Sequence, residues 1–270
     1  MHSPQSAQRN LLLDMLPDDA RKRLARNLET RQARVGQVLH ASHAPVRYAY
    51  FPTSAILEKV GMMQNGDHAQ VAMIGREGMV GLSLFLGAEL SVSSASVQSA
   101  GQVLRLPAGY LQEEFERGGD LMRVLLRYTQ SFIEQMVRTA ACNRYGTLEQ
   151  RLCRWLLQSL DRSAGGELTM THERMANALG ARRAGVSLAA ALLQRRGAIH
   201  YQRGHIQVLN RAVLEARVCE CYPATSAAQP MTFADGRCGA ERFSVADAGA
   251  VVRQSASSGR AIFACHQKDT

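Results

Sequence analysis

The spacing of apolar residues divides the chain into a mixed first part, a long helix and a second compact part. Over residues 8–30, leucines recur at helical spacing, and Pro17-Asp18-Asp19 is a typical helix start. From about 34 to 107, short apolar runs such as Tyr48-Ala-Tyr-Phe and Val71-Ala-Met-Ile alternate with turn residues. Many short strands at regular spacing predict a sandwich, roll or barrel.

A single long helix is predicted from Asp120 to about Asn143, because this stretch contains no Gly or Pro. One apolar stripe along it repeats in alternating steps of four and three, and a second stripe lies beside the first. We interpret it as a dimerisation helix, and a core helix of one domain is the alternative. The predicted dimer contacts are Met122, Leu126, Thr129, Ile133, Met136 and Ala140.

The stretch that begins at Thr171 has the spacing of a helix-turn-helix. Thr171 is a good N-cap for a first helix, because its hydroxyl can accept from a free backbone N–H. Ala176 is small where two crossing helices touch, and Gly180, four residues later, suits a tight turn at positive φ. Val186 then supplies the inner face of a second helix, six residues after the glycine.

A preceding helix and a following hairpin complete a winged domain. Thr147 and Gln150 form a predicted capping box for a helix that runs to Arg162. After the second helix of the motif, two short apolar runs flank Gln202-Arg-Gly204, which is the pattern of a two-stranded hairpin. Such a hairpin beside a helix-turn-helix is a wing.

The charge of the chain indicates its partner. The formal net charge is +9, and between residues 171 and 217 eight arginines face two glutamates. A GC-rich genome would also favour arginine, so the arginine content alone does not indicate a partner. The positions of the arginines in the chain are more informative. Arg182 and Arg183 stand at the N-terminal end of the second helix, where a helix dipole attracts phosphate. We therefore expect double-stranded DNA as the partner, contacted by Thr171, Arg182, Arg183, Gly185, Ser187 and Arg203.

Several classes of protein are disfavoured. The N-terminus lacks a signal-peptide core, and no apolar run reaches the roughly 18 residues of a membrane span, so we expect a cytoplasmic protein with no membrane partner. No Cys-x-x-Cys occurs and no cysteine precedes Cys142, which argues against an N-terminal iron–sulfur or zinc cluster. Cys219 and Cys221 are interpreted as structural or incidental, and no cofactor or metal is expected.

Over about residues 10 to 222 the chain resembles the Crp/Fnr superfamily of transcription regulators, in a subgroup without an obvious cyclic nucleotide site. The most specific stretches are Val71-Ala-Met-Ile-Gly-Arg-Glu-Gly-Met-Val-Gly, Ala140-Ala-Cys-Asn, Leu148-Glu-Gln-Arg-Leu-Cys-Arg-Trp-Leu-Leu, Arg182-Arg-Ala-Gly-Val-Ser and Cys219-Glu-Cys-Tyr. The resemblance implies a cyclic-nucleotide-binding-like β-roll, a dimer helix, a homodimer on palindromic operator DNA, and RNA polymerase as a further partner.

The chain departs from the family at the effector site and in the recognition helix. Members that bind cyclic AMP have a Gly-Glu pair for the ribose and an Arg-Ser pair for the phosphate. Here Leu82 follows Gly81, and Ser93 stands at the arginine position. Because the cation and the carboxylate are both missing, we expect no functional binding of cyclic AMP, and the effector stays unidentified. In the recognition helix only Arg183 matches the family pattern, so the operator sequence is not transferable.

The resulting prediction is an α+β chain that regulates transcription and is not an enzyme. Its four expected parts are a β-roll sensor at 10–118, a dimerisation helix at 119–146, a winged helix-turn-helix at 147–222 and a disordered tail at 223–270.

Two enzyme classes are the alternatives. A cupin-type metal enzyme needs clustered His and carboxylate ligands, but His40 and His43 are three apart and fall on opposite faces of a strand. We interpret both, and His68, as surface or turn residues. A recombinase would need grouped acidic residues, which are not evident.

Overall fold

The computed structural model describes residues 9–64, 66–88, 90–163 and 167–222, so the predicted tail at 223–270 lies outside the described residues. The α-helices are α1 (Leu11–Asp14), α2 (Asp18–Ala25), α3 (Ala108–Glu116), α4 (Asp120–Tyr145), α5 (Leu148–Arg162), α6 (His172–Leu179), α7 (Arg183–Arg195) and α8 (Arg211–Glu215). The strands are β1 (Glu29–Ala33), β2 (Val38–His40), β3 (Tyr48–Pro52), β4 (Ile56–Met62), β5 (His68–Ile74), β6 (Ser94–Ser99), β7 (Gly101–Pro107), β8 (Glu167–Thr169), β9 (Ile199–Gln202) and β10 (His205–Val208).

Two antiparallel sheets form the first half of the chain. One has the strand order β2-β6-β4-β5 and the other the order β1-β7-β3. Leu57 on β4 stands opposite both Val97 on β6 and Ile74 on β5, and all three side chains are buried. Alternating strand residues of this kind line the core between the sheets. The α+β class and the roll-like first half predicted from the sequence are confirmed.

Helices close this core at its edges. α4 packs Leu121, Leu125 and Tyr128 into it, on the second of the two predicted stripes. The boundary of the N-terminal helical region was predicted wrongly, because β1 begins at Glu29 and pairs with β7, inside the stretch interpreted as helical up to residue 30. α3 was not predicted, because a nine-residue helix offers too few turns for a clear apolar period.

The second half of the chain has its own core. α5 begins with the predicted capping box, in which Thr147 Oγ1 accepts from the Gln150 backbone and Gln150 accepts from the Thr147 N–H. Its apolar face, including Trp155, packs against α6, α7 and α8 and against the sheet β8-β10-β9. No helix within the described ranges is both long enough and apolar enough to cross a membrane.

The two cores touch through the sheet that contains β4 and β5. Ile56 and Met73 point out of the roll and are buried in the second core. Trp155 Nε1 donates to Gln70 Oε1 at 2.9 Å, and Gln98 Nε2 donates to Ser159 Oγ at 3.0 Å. Apolar contacts and satisfied buried hydrogen bonds thus hold the winged domain against the roll.

Candidate nucleic-acid interface

The first helix of the motif begins and ends at the predicted residues. Thr171 Oγ1 accepts from the Arg174 N–H at 3.3 Å and so caps α6. At the other end Gly180 adopts φ 55° and ψ 48°, a left-handed conformation that glycine reaches without a Cβ penalty. The Ala181 N–H then donates to the Ala176 carbonyl at 2.9 Å, which turns the chain toward α7.

The two helices cross at small and apolar side chains. Ala176 and Leu179 of α6 and Val186 and Ala189 of α7 are all buried in the second core, and the spacing had predicted this for Ala176 and Val186. Gly185 also faces inward: a Cβ at this position would lie 2.9 Å from Leu148 Cδ2 of α5. This predicted DNA contact therefore stands at a helix packing contact.

The opposite face of α7 is exposed and begins with two arginines. Arg182 is the N-cap residue and uses no side-chain cap, and Arg183 is the first residue of the helix. Both are exposed; the Arg183 side chain is 72% accessible and its Nε lies 4.0 Å from Glu173 Oε2. Leu188, on the following turn, is 63% exposed. The face thus combines guanidinium groups with an apolar side chain.

The wing is a tight hairpin held against the start of α6. β9 and β10 pair with a two-residue turn at Arg203 and Gly204, where φ is 49° and 85°. The Gly204 carbonyl accepts from the Met170 N–H at 2.7 Å, one residue before the Thr171 cap. Arg203 is exposed at the tip of this turn. The hairpin predicted as the wing is confirmed.

The first turn of α6 links the wing to α7. The His172 ring stacks on the Tyr201 ring of β9, with centroids 4.1 Å apart and planes at 18°. His172 Nδ1 is 2.9 Å from Ser187 Oγ of α7. Burial and the neighbouring charge of Arg183 lower the pKa of His172, which favours the neutral ring. Of the predicted contact residues, Ser187 is therefore connected to the wing through the His172 ring.

Not every arginine of the basic region belongs to this surface. Arg196 and Arg217 pair with Glu149, and Arg211 pairs with Asp161 and Glu215. Arg174 Nη2 donates to the Gln98 carbonyl of the roll. Within the described part of the chain, Arg182, Arg195 and Arg203 form no ion pair. The charge available to a polyanion is therefore more concentrated than the sequence count suggests.

The exposed side of α4 carries an apolar stripe. Leu126, Ile133 and Val137 are large and exposed, and Val137 is 63% accessible. Of the predicted dimer contacts, Leu126, Ile133 and Ala140 lie on this side, and Met122 and Met136 are half-buried. Thr129 is buried, and its hydroxyl donates to the Leu125 carbonyl. Val137 was missed because its neighbour Met136 fitted the assumed repeat.

The predicted effector region holds an unforeseen lysine. Leu82 opens a 3-10 helix, Leu82–Leu84, and packs on the first core. Lys59 Nζ donates to Ser91 Oγ at 3.3 Å and lies 3.5 Å from His40 Nε2. Ser91 Oγ in turn donates to the Ser93 carbonyl at 2.8 Å. Burial lowers the pKa of Lys59 to about 8, and burial together with Lys59 lowers the pKa of His40 to about 4.

Two of the three histidines lie where the sequence placed them. His43 and His68 are exposed, and His43 is in a turn with φ 57°. The interpretation of His40 as a surface or turn residue was wrong, because its strand position turns it into the roll, where it is 8% exposed.

Comparison with known proteins agrees with this geometry. Residues 150–217 match the family model of the Crp-like helix-turn-helix domain, which covers α5 through α8 and the wing. No curated protein sequence matches the chain.

Solved structures match over most of the described chain. FixK2 from Bradyrhizobium japonicum aligns with a TM-score of 0.62 at 16% identity, over 71% of this chain and 98% of FixK2. CLP from Xanthomonas campestris, described as a c-di-GMP responsive global regulator, aligns at 0.59 and 14% identity, over 71% and 99%. A CRP-family transcriptional regulator from Thermus thermophilus aligns at 0.58 and 19% identity, over 69% and 95%. At these identities the likeness establishes the fold.

Proposed function

Since this chain has the Crp/Fnr fold and carries its Crp-like helix-turn-helix domain, we propose that it is a transcription regulator that binds operator DNA as a homodimer. The observation that carries the proposal is the exposed N-terminal end of α7, with Arg182 and Arg183 on it and Arg203 on the adjoining wing. A helix N-terminus and arginines both favour phosphates and base edges.

The proposed DNA contacts are of two kinds, those to base edges and those to the phosphate backbone. Arg183 is assigned to a base edge in the major groove, because its guanidinium offers two parallel donors to guanine O6 and N7. Leu188 offers an apolar surface to a thymine methyl group on the same face. Arg203 is assigned to the phosphate backbone, which fixes register without reading sequence. Arg182 is assigned to a base or a phosphate, and Thr171 and Ser187 are assigned to further DNA contacts near the same end of α7.

A homodimer follows from the apolar stripe on α4. Leu126, Ile133 and Val137 stand on one exposed face of a 26-residue helix, where water contact is unfavourable. Pairing two such helices about a two-fold axis would present two copies of α7 to half-sites about one helical turn apart, hence a palindromic operator. RNA polymerase is retained as a partner on the family resemblance alone.

The test is a comparison of two arginine variants on specific and scrambled duplexes. The operator is first selected from random duplexes with the purified full-length chain. Arg183→Ala is expected to weaken operator binding by roughly 1–3 kcal/mol while leaving scrambled DNA much less affected. Arg203→Ala is expected to weaken binding to both duplexes about equally. It should also make the slope of log affinity against log salt shallower by about the amount that one phosphate contact contributes.

A matched control is Arg195→Ala, which removes an exposed arginine from the C-terminal end of the same helix. It should leave the discrimination between the duplexes unchanged. If Arg183→Ala bound both duplexes as the unmodified chain does, α7 would not be the reading helix and the proposal would fail.

A further inference from the structure

Two buried cysteines meet where the long helix joins the DNA-binding domain. Cys142 lies on the last turn of α4, and Cys219 lies four residues after α8. Their Sγ atoms are 2.9 Å apart, although 77 positions separate them in the sequence. A covalent S–S bond is about 2.05 Å long, so a small approach of the two side chains would suffice to form one.

The pair spans the joint between two parts of the chain. Only Gly146 and Thr147 separate α4 from α5, and the Gly146 N–H donates to the Cys142 carbonyl at 2.8 Å. A Cβ on Gly146 would lie 2.6 Å from that carbonyl oxygen, which excludes larger residues. A Cys142–Cys219 bond would therefore enclose the whole helix-turn-helix domain in one loop, tied to α4 at both ends.

The surroundings favour a thiolate at Cys142. The Nε atoms of Arg151 and Arg154 are buried and have no hydrogen-bond partner among the described residues, and neither side chain there pairs with a carboxylate. Donation from the Cys219 thiol lowers the pKa of Cys142 to about 7, with further contributions from Arg154 and Arg151. By contrast, burial raises the pKa of Cys153 to about 12.

We propose that Cys142 and Cys219 form a reversible disulfide that fixes the DNA-binding domain to the end of α4. Hydrogen peroxide first oxidises the Cys142 thiolate to a sulfenic acid and is itself reduced to hydroxide. The Cys219 thiol then attacks the sulfenic sulfur, the S–S bond forms, and the hydroxyl leaves with a proton as water. A dithiol returns both cysteines to thiols with two electrons. Formation of the bond does not depend on the proposed function, so the two can fail separately.

The experiment uses the full chain with Cys221, Cys238 and Cys265 replaced by serine, so that the pair and the buried Cys153 remain. After treatment with hydrogen peroxide, peptide mapping without reductant should find the Cys142–Cys219 peptide. Hydrogen exchange at Gly146 and Thr147 should slow by about tenfold or more, because the joint no longer opens locally. Dithiothreitol should reverse both changes.

Serine variants separate the bond from general effects of oxidation. In Cys142→Ser and Cys219→Ser, each added singly, peroxide should leave exchange at the joint unchanged, and a melting curve of each reduced variant verifies folding. In the unmodified chain, all six cysteines compete for the bond. The proposal is overturned if Cys142 of the unmodified chain pairs with Cys221 or a later cysteine, or if peroxide leaves the thiols of Cys142 and Cys219 free. It is also overturned if the reduced chain binds one zinc ion through Cys142 and Cys219.

Discussion

At the residue scale, buried polar groups explain the most specific stretch of the sequence. Gly78 and Met79 follow β5, and the Tyr128 hydroxyl of α4 both donates to the Met79 carbonyl and accepts from its N–H. A Cβ on Gly78 would overlap the Tyr128 ring. Glu77 binds Arg162 at the end of α5 at 2.6 Å. This loop therefore connects the roll to both long helices, which requires a close backbone approach.

His40 gives a prediction at this scale. Its folded pKa is about 4, against about 6.5 in an unfolded chain, so the unfolded state binds more protons between these values. The stability contributed by the neutral ring is complete above pH 6.5 and is lost as the pH falls toward 4. The loss should amount to at most about 3 kcal/mol.

The measurement is the difference in unfolding free energy between the unmodified chain and His40→Gln, from urea titrations at several pH values. Carboxylates titrate in both proteins and cancel in this difference. The difference should fall from pH 6.5 to 4.5. A constant difference over this range would show that His40 is not held neutral.

The partners of the charged side chains were the feature that the sequence predicted least well. Eight arginines in the winged domain predicted a basic surface, but Arg196, Arg211 and Arg217 are committed to carboxylates. Two of those carboxylates, Glu149 and Asp161, lie on α5, outside the stretch that was counted. Because ion pairs of this kind form between elements distant in sequence, no local pattern reveals them. The proximity of Cys142 and Cys219 was not predicted for the same reason.

At the element scale, the predictions were correct for those features that are determined by residues close together in the sequence. The caps at Thr147 and Thr171, the turn at Gly180 and the hairpin at Arg203 were predicted, because each depends on residues within a few positions. The short strand β1 was not, since its place is fixed by pairing with β7, more than 60 residues later. Pairing across such distances leaves little trace in a single sequence.

The capping box of α5 can be tested directly. Thr147→Ala removes the hydroxyl that accepts from the Gln150 N–H and leaves that group at the helix end without its partner. The expected loss of unfolding free energy is about 1 kcal/mol. Thr147→Ser keeps the acceptor and should lose much less. Equal stabilities of the two variants in urea denaturation would contradict the role of the cap.

At the scale of the whole molecule, the long helix and the winged domain both pack on the roll. Gln135 of α4 donates to the Met73 carbonyl of β5, and Trp155 of α5 donates to Gln70 on the same strand. Gln70 also donates to Gln98 at 2.7 Å, which reaches Ser159. β5 therefore contacts both the long helix and the winged domain.

The proposed dimer belongs to this scale and gives the last prediction. Val137→Asp places a carboxylate on the exposed stripe of α4, one turn after Ile133. In the single chain this position faces solvent, so folding should be preserved. In a dimer the charge would be buried without a partner, which is strongly unfavourable. We expect a monomer at micromolar concentration and a large loss of affinity for a palindromic duplex, while binding to a single half-site persists.

Ser131→Asp is the matched control, because it adds the same charge to an exposed position of α4 off the stripe. Sedimentation velocity on the three proteins would measure the oligomeric state, and melting curves would verify that each is folded. The control should stay dimeric, since its carboxylate remains in water. A Val137→Asp protein that sediments as a dimer would place the two-fold contact elsewhere. The proposed spacing of the half-sites, which depends on pairing of two α4 helices, would then be unsupported, even if α7 still binds DNA.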